Sequence, residues 1–291
     1  MRSAIFMLLI AVAVAVTNSD APAQQSRTLT RSDYEKLAKN PHDAQALADL
    51  MAKLPTVEIE HEGVKRTYHI IEGDLLVGEE RARAALRYHA QGVAPPPKKP
   101  GELLIMTDER ERPVFWPREN RQLTYAVHRA SFSNPDSYQA VIEAMREAAQ
   151  EWEHKCRTCG LTIRHRPEFD DAPRLDQVTF IVTFTPNATE FIAAAFFPND
   201  PEHRRYLLIA PSFFTTSYTK VGVLRHELGH VLGYRHEHIQ GVPGCGQEDN
   251  QWKRVTDYDG KSVMHYFCGG GGTMELTISD LDEAGHAETY R

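Results

Sequence analysis

Basic runs are scarce in this 291-residue chain. Lys and Arg number 33 against 40 Asp and Glu, the net charge is −7, and no run of Lys or Arg exceeds two residues. That balance offers no positive field to a phosphate backbone, which excludes nucleic acid as a partner class. Long apolar stretches are missing too, with one exception of 13 residues from Ala4 to Val16. A bilayer crossing needs ~20, so this run, preceded by Arg2 and followed by the small-residue pattern Ala21-Pro22-Ala23, reads as a secretory signal peptide over 1–23. The expectation is export to a secreted or periplasmic location from about Gln24, with no membrane anchor after cleavage. Cysteine is sparse: Cys156, Cys159, Cys245 and Cys268. An even number in an exported chain favours disulfides over free thiols. Three pairings exist on paper. The preferred set joins Cys245 to Cys268, clipping two loops around a histidine-rich stretch, and Cys156 to Cys159 as a local link. A redox role for "CRTC" lacks a surrounding thioredoxin-like pattern, and a four-thiolate zinc site would want a second closely spaced pair.

What is present suits a globular chain, with 41% hydrophobic residues and no internal repeat. Residues 24–92 read as a small α/β segment: two helices parted by Pro41, alternating strands around "HEG" in "TVEIEHEGVKRTYHIIEGDLLV", and a charged helix from Gly78 to Gln91. The stretch "GVAPPPKKPGE" is a stiff, exposed connector, and 93–118 reads as linker and lead-in to a larger domain over 119–291. In that domain a strand at Gln122–His128 precedes a long helix capped by Asn134-Pro135. Strands at Leu161–Arg166, Gln177–Thr185 and Phe191–Phe197 follow, then a helix starting near Ser217–Thr219 and a final helix capped by Ser279.

The helix near Thr219 carries "RHELGHVLGYRHEH", Arg225 to His238. His226 and His230 are four apart and share one helix face, near enough to hold one ion, with Glu227 beside the first. Gly233 stands where the helix must turn sharply, which lets His236 return to the same point. The string H-E-x-x-H-x-x-G-x-x-H arises by chance in a chain of this length with odds on the order of one in 10⁵. It is a zinc-helix arrangement in which neutral imidazoles bind the metal and a carboxylate moves a proton.

This string, together with Met264 in "SVMHY" 28 residues beyond His236, resembles the metzincin metallopeptidases, most closely the astacin branch, with some matrixin-like features. The resemblance covers about Gln122 to Arg291. It implies an α+β fold with a twisted, mostly parallel sheet of about five strands, an antiparallel edge strand, an active-site helix and a C-terminal helix. It also implies one catalytic Zn2+ on His226, His230 and His236, with Glu227 as general base and Met264 as the floor beneath the metal. Tyr266 matches the family tyrosine that stabilises the tetrahedral intermediate, and Glu237 the glutamate that receives the processed N-terminus. "FIAAAFFP" resembles the edge strand above the cleft, making Ala193, Ala194 and Ala195 candidates for backbone contacts to substrate; a plain buried strand is the alternative. The cysteine positions depart from the usual astacin pairs, so branch is less determined than family.

The N-terminal segment has no cysteine for a thiolate latch, but Ile71-Glu72-Gly73-Asp74 is similar to the F-x-G-D element of pro-astacins. Asp74 reads either as a latch on the zinc, released by cleavage near Lys98-Lys99 or later, or as an ordinary turn residue. The expected function is an exported zinc-dependent endopeptidase acting on proteins or peptides and made as a latent precursor. The alternatives are a non-catalytic zinc-binding protein on the same fold, and a peptidase acting on cell-wall peptides.

Overall fold

The computed structural model describes residues 29, 31–61, 63–92, 103–246 and 248–291. The expected signal peptide and the Lys98-Lys99 connector lie outside the described residues. The N-terminal segment opens with helices α1 (Arg31–Lys39) and α2 (Ala44–Met51). Asp43 starts α2, its carboxylate accepting the Ala46 N–H at 2.9 Å and so satisfying an orphan donor of the first turn. Strands β1 (Thr56–His61), β2 (Val64–Ile71) and β3 (Leu75–Val77) form an antiparallel sheet in that order. Pairing of Ile71 with Leu75 leaves a three-residue loop, Glu72 to Asp74, whose first two residues have φ of 57° and 98°. Helix α3 (Glu79–Ala90) completes the segment.

Strand β4 (Leu104–Met106) falls within 93–118, the stretch read from sequence as linker and lead-in to the larger domain. Its three residues are fully buried. Next come β5 (Gln122–Val127), the 21-residue helix α4 (Pro135–Lys155), β6 (Thr162–His165), β7 (Phe180–Phe184), β8 (Ala193–Ala194) and β9 (Tyr206–Ile209). The sheet order is β6–β5–β7–β9–β8, parallel throughout except for the antiparallel edge strand β8. Asn134 caps α4 by accepting the Asp136 N–H. The α4 stripe Tyr138, Val141, Met145, Ala149 and Trp152 is buried, each large side chain contributing about 1.5–3 kcal/mol.

Helix α5 (Lys220–Val231) lies against α4, where the Trp152 Nε1–H donates to the Arg225 carbonyl at 2.9 Å. The chain then forms β10 (Tyr234–Arg235) and β11 (Trp252–Arg254), which flank β4 antiparallel on either side, and ends in α6 (Asp280–Tyr290). A reciprocal capping box between Ser279 and Asp282 starts α6.

The expected strand over Phe191–Phe197 shortens to two residues, for a local reason. Ala195 gives its N–H to the Asp74 carbonyl and its carbonyl to the Leu76 N–H, both at 2.9 Å, and the Phe197 N–H is taken by the Asp200 carboxylate at 2.8 Å. The N-terminal segment thereby docks on the edge of the main sheet. Its apolar residues continue into the larger core: Leu37, Leu47, Leu50 and Leu86 cluster with Met106, Val114 and Phe197. Val57, Ile59, Tyr68 and Ile70 cluster with Ala126, Ile181 and Leu208. No helix among the described residues is long and apolar enough to cross a membrane.

Candidate metal centre

Thr219 caps α5, its hydroxyl accepting the Gly222 N–H at 3.1 Å, and the helix runs fully buried through His226, Glu227 and His230. Gly233 ends it with φ 102°, and its missing side chain lets the Val114 carbonyl approach where a Cβ would stand. That reversal carries β10 away from the helix and brings His236 back beside it. The three imidazoles converge: His230 Nε2 lies 3.1 Å from His236 Nε2. Asp74 Oδ2 lies 3.2 Å from His226 Nε2 and 3.1 Å from His236 Nε2, and Asp74 Oδ1 is 3.5 Å from His230 Nε2. The loop between β2 and β3 therefore inserts its carboxylate among all three histidines.

Each ring is oriented from behind. His226 Nδ1 faces the Val263 carbonyl at 2.7 Å and His230 Nδ1 the Tyr234 carbonyl at 2.8 Å. A carbonyl only accepts, so both Nδ1 atoms carry the proton and both Nε2 atoms turn lone pairs inward. His236 Nδ1 faces Glu248 Oε1 at very short range. Nitrogens sharing a tetrahedral zinc at ~2.0–2.1 Å stand about 3.3 Å apart. The spacings above fit that requirement, and three imidazoles with one carboxylate, all within 4.8 Å of one another, form a donor set suited to a divalent cation.

Charge is distributed unevenly around this point. Burial opposes ionisation of Asp74, but His236 and His230 together with hydrogen bonds from His226 and His230 hold it well below the usual carboxylate range. Burial pushes His230 down to about 4, against the pull of Asp74. Burial also acts on His236, yet Asp74 and Glu248 on its two faces hold it well above an ordinary histidine. Glu227 is 0% exposed and neither of its oxygens has a partner among the described residues. Burial, then the nearby Asp74 charge, raises it well above its usual range. A buried carboxyl without a partner, beside two inward lone pairs and the third imidazole of His236, is an arrangement that a cation would balance.

Tyr266 is half-buried, and its O–H lies 2.5 Å from Asp74 Oδ2 and 2.9 Å from the Glu72 carbonyl. Gly73 passes directly over it, since a Cβ there would stand 2.9 Å from the phenol oxygen. Met264 is fully buried beneath α5, with its sulfur where a side chain at Gly229 would go. Glu237 is buried and accepts the Asp259 N–H at 3.0 Å. Ala193 and Ala194 pair inside the sheet with Ile209 and Leu208, while Ala195 pairs with the N-terminal segment. Cys156 is bonded to Cys159, and Cys245 to Cys268.

Arg235, Glu248, Asp249 and His238 are not singled out by the sequence. Arg235, between β10 and the third histidine, is 0% exposed and binds Glu72 Oε2 at 2.8 Å, Glu248 Oε2 at 3.0 Å and Asp249 Oδ1 at 2.7 Å. Three carboxylates about one guanidinium do not all stay charged. Burial, opposed by Arg235 and reinforced by Glu248 and Asp249, pushes Glu72 well above its usual range. His238, with no place in the ligand string, stacks against both His236 and Tyr266, at 5.3 and 4.8 Å, while those two rings are themselves 4.2 Å apart.

The course of the chain is similar in part to that of several solved structures. It resembles the structure of myroilysin at 18% identity over 64% of this chain and 98% of that chain, with a TM-score of 0.45. It is similar to high choriolytic enzyme 1, a hatching enzyme zinc-protease from the medaka fish Oryzias latipes, at 13% identity over 61% and 96% of the two chains and a TM-score of 0.36. It is also similar to metalloproteinase-II from Bacteroides fragilis, at 13% identity over 80% of this chain and 75% of that chain, with a TM-score of 0.33. No protein-family model and no curated protein matches the sequence.

Proposed function

We propose that the chain is an exported zinc-dependent endopeptidase of metzincin type, closest to the astacin branch, made as a precursor that Asp74 keeps latent. The observation that carries this reading is the convergence of three inward-facing Nε2 atoms beside a buried, unpartnered Glu227. His226, His230 and His236 would hold the ion. Zinc bound there supplies Lewis acidity, polarising the scissile carbonyl and lowering the pKa of water toward ~7. Glu227 takes the proton of the attacking water and passes it to the leaving amine. Tyr266 turns its O–H from Asp74 to the developing oxyanion once the segment has left. The Ala195 backbone, bonded in the precursor to Asp74 and Leu76, then becomes free to pair with an extended substrate. Glu237 is the proposed acceptor of the processed N-terminus.

The test uses the secreted chain before and after processing, with its zinc content measured. The processed protein should cleave a broad protein substrate, lose that activity to a chelator and regain it with zinc. Asp74→Ala should cleave without processing. A processed chain that holds zinc but cleaves neither proteins nor cell-wall peptides would instead be a binding protein. A silent Asp74→Ala precursor that still binds zinc would remove the latch.

A further inference from the structure

The three histidines differ in what stands behind them. His226 and His230 belong to α5 and lean on backbone carbonyls that the fold holds fixed. His236 lies outside that helix, after a two-residue strand, and its Nδ1 meets only a side chain, Glu248. That carboxylate is 4% exposed and gripped on both oxygens: Oε1 faces His236, while Oε2 accepts from Arg235 Nη2 at 3.0 Å. Arg235 is itself fixed by Asp249 at 2.7 Å. His238 stacks on the ring of His236 at 5.3 Å, and the Cys245–Cys268 bond ties the loop before Glu248 to the segment that carries Tyr266.

We propose that Glu248 is the positioning residue of the metal centre, the carboxylate that fixes the tautomer and plane of His236 and so aims its Nε2 at the ion. The inference rests on the zinc reading of the site. A carboxylate behind an imidazole draws the Nδ1 proton toward itself and raises electron density at Nε2, an effect backbone carbonyls produce more weakly. Arg235 keeps the carboxylate from swinging away. Because Arg235, Glu248 and Asp249 all follow the connector in sequence, the arrangement survives loss of the N-terminal segment, whereas Glu72 does not.

The full-length chain provides the test: zinc affinity by competition with a chromophoric chelator, and the visible spectrum after cobalt substitution, for wild type, Glu248→Gln, Glu248→Asp and Asp249→Asn. Glu248→Gln should bind zinc ~10–100-fold more weakly with displaced cobalt bands, Glu248→Asp should recover part of the loss, and Asp249→Asn should stay within about threefold of wild type. Glu248→Gln with wild-type affinity and bands would overturn the proposal. So would an Asp249→Asn loss as large as that of Glu248→Gln, since the ion cluster as a whole would then be responsible. Should Glu248→Gln fail to fold, Glu248→Asp decides: several-fold weaker binding supports the role and an unchanged cobalt spectrum overturns it. A wild type that takes up no zinc would remove the zinc reading and this inference together.

Discussion

Glu227 is held in an environment that opposes its own charge, with no hydrogen bond to either oxygen among the described residues. A fold selected for stability alone would not keep it. Replacing it by the isosteric amide would remove the proposed proton acceptor without disturbing the three histidines. Glu227→Gln in the processed chain should therefore lose ~10²–10⁴-fold in kcat while keeping its zinc. Its apparent melting temperature should be no lower than that of wild type, because no bond is broken. Steady-state kinetics, metal analysis and a thermal scan check the three parts; a variant that lost its zinc would make the residue a metal ligand instead of a base.

At the scale of elements, the bend after α5 is the structural condition for a third histidine. Gly233 has φ 102° and the Val114 carbonyl fills the space of its missing side chain, so Gly233→Ala combines backbone strain with a clash. The expected loss is ~1–3 kcal/mol, read from urea unfolding of the full chain, together with weaker zinc retention. Helix α6 carries a second consequence. Burial pushes His286, whose Nδ1 lies 2.8 Å from the Tyr234 hydroxyl, down to about 3. The unfolded chain binds that proton near pH 6.5. Stability from this residue is thus complete above pH 6.5 and falls as pH drops toward 3, by up to about 1.4 kcal/mol per unit. His286→Gln should flatten that part of the pH–stability curve relative to wild type; identical slopes would refute it.

The same scale explains what could be read in advance. Helices α4 and α6 are legible because Asn134-Pro135 and Ser279 mark their starts, and the α5 histidines because spacing on a helix is spacing in space. Strand β4 is not, because "LIM" is three apolar residues after a proline-rich connector and its partners come over 120 residues later in the chain. Glu248 and Arg235 are missed for a related reason. One sits in a loop without periodicity, and the other is a charged side chain whose burial depends on acids from two distant places, Glu72 and the pair Glu248-Asp249.

Across the whole molecule, the N-terminal segment shares its core with the rest. Leu37, Leu47 and Leu86 cluster with Met106 and Phe197, and Tyr68 donates to the His203 carbonyl at 2.9 Å. A single cut within 93–102 leaves all those contacts in place. The nicked chain should co-elute as two fragments in size-exclusion chromatography and stay inactive until the segment is degraded or displaced by denaturant. Immediate separation with full activity would contradict that. The passage of Gly73 over Tyr266 has one more implication. With φ 98° and the phenol oxygen 2.9 Å from where a Cβ would stand, the path into the centre strongly favours a residue without a side chain at that step. For the proposed peptidase, a short peptide built on Glu-Gly-Asp is therefore the natural starting point for an inhibitor.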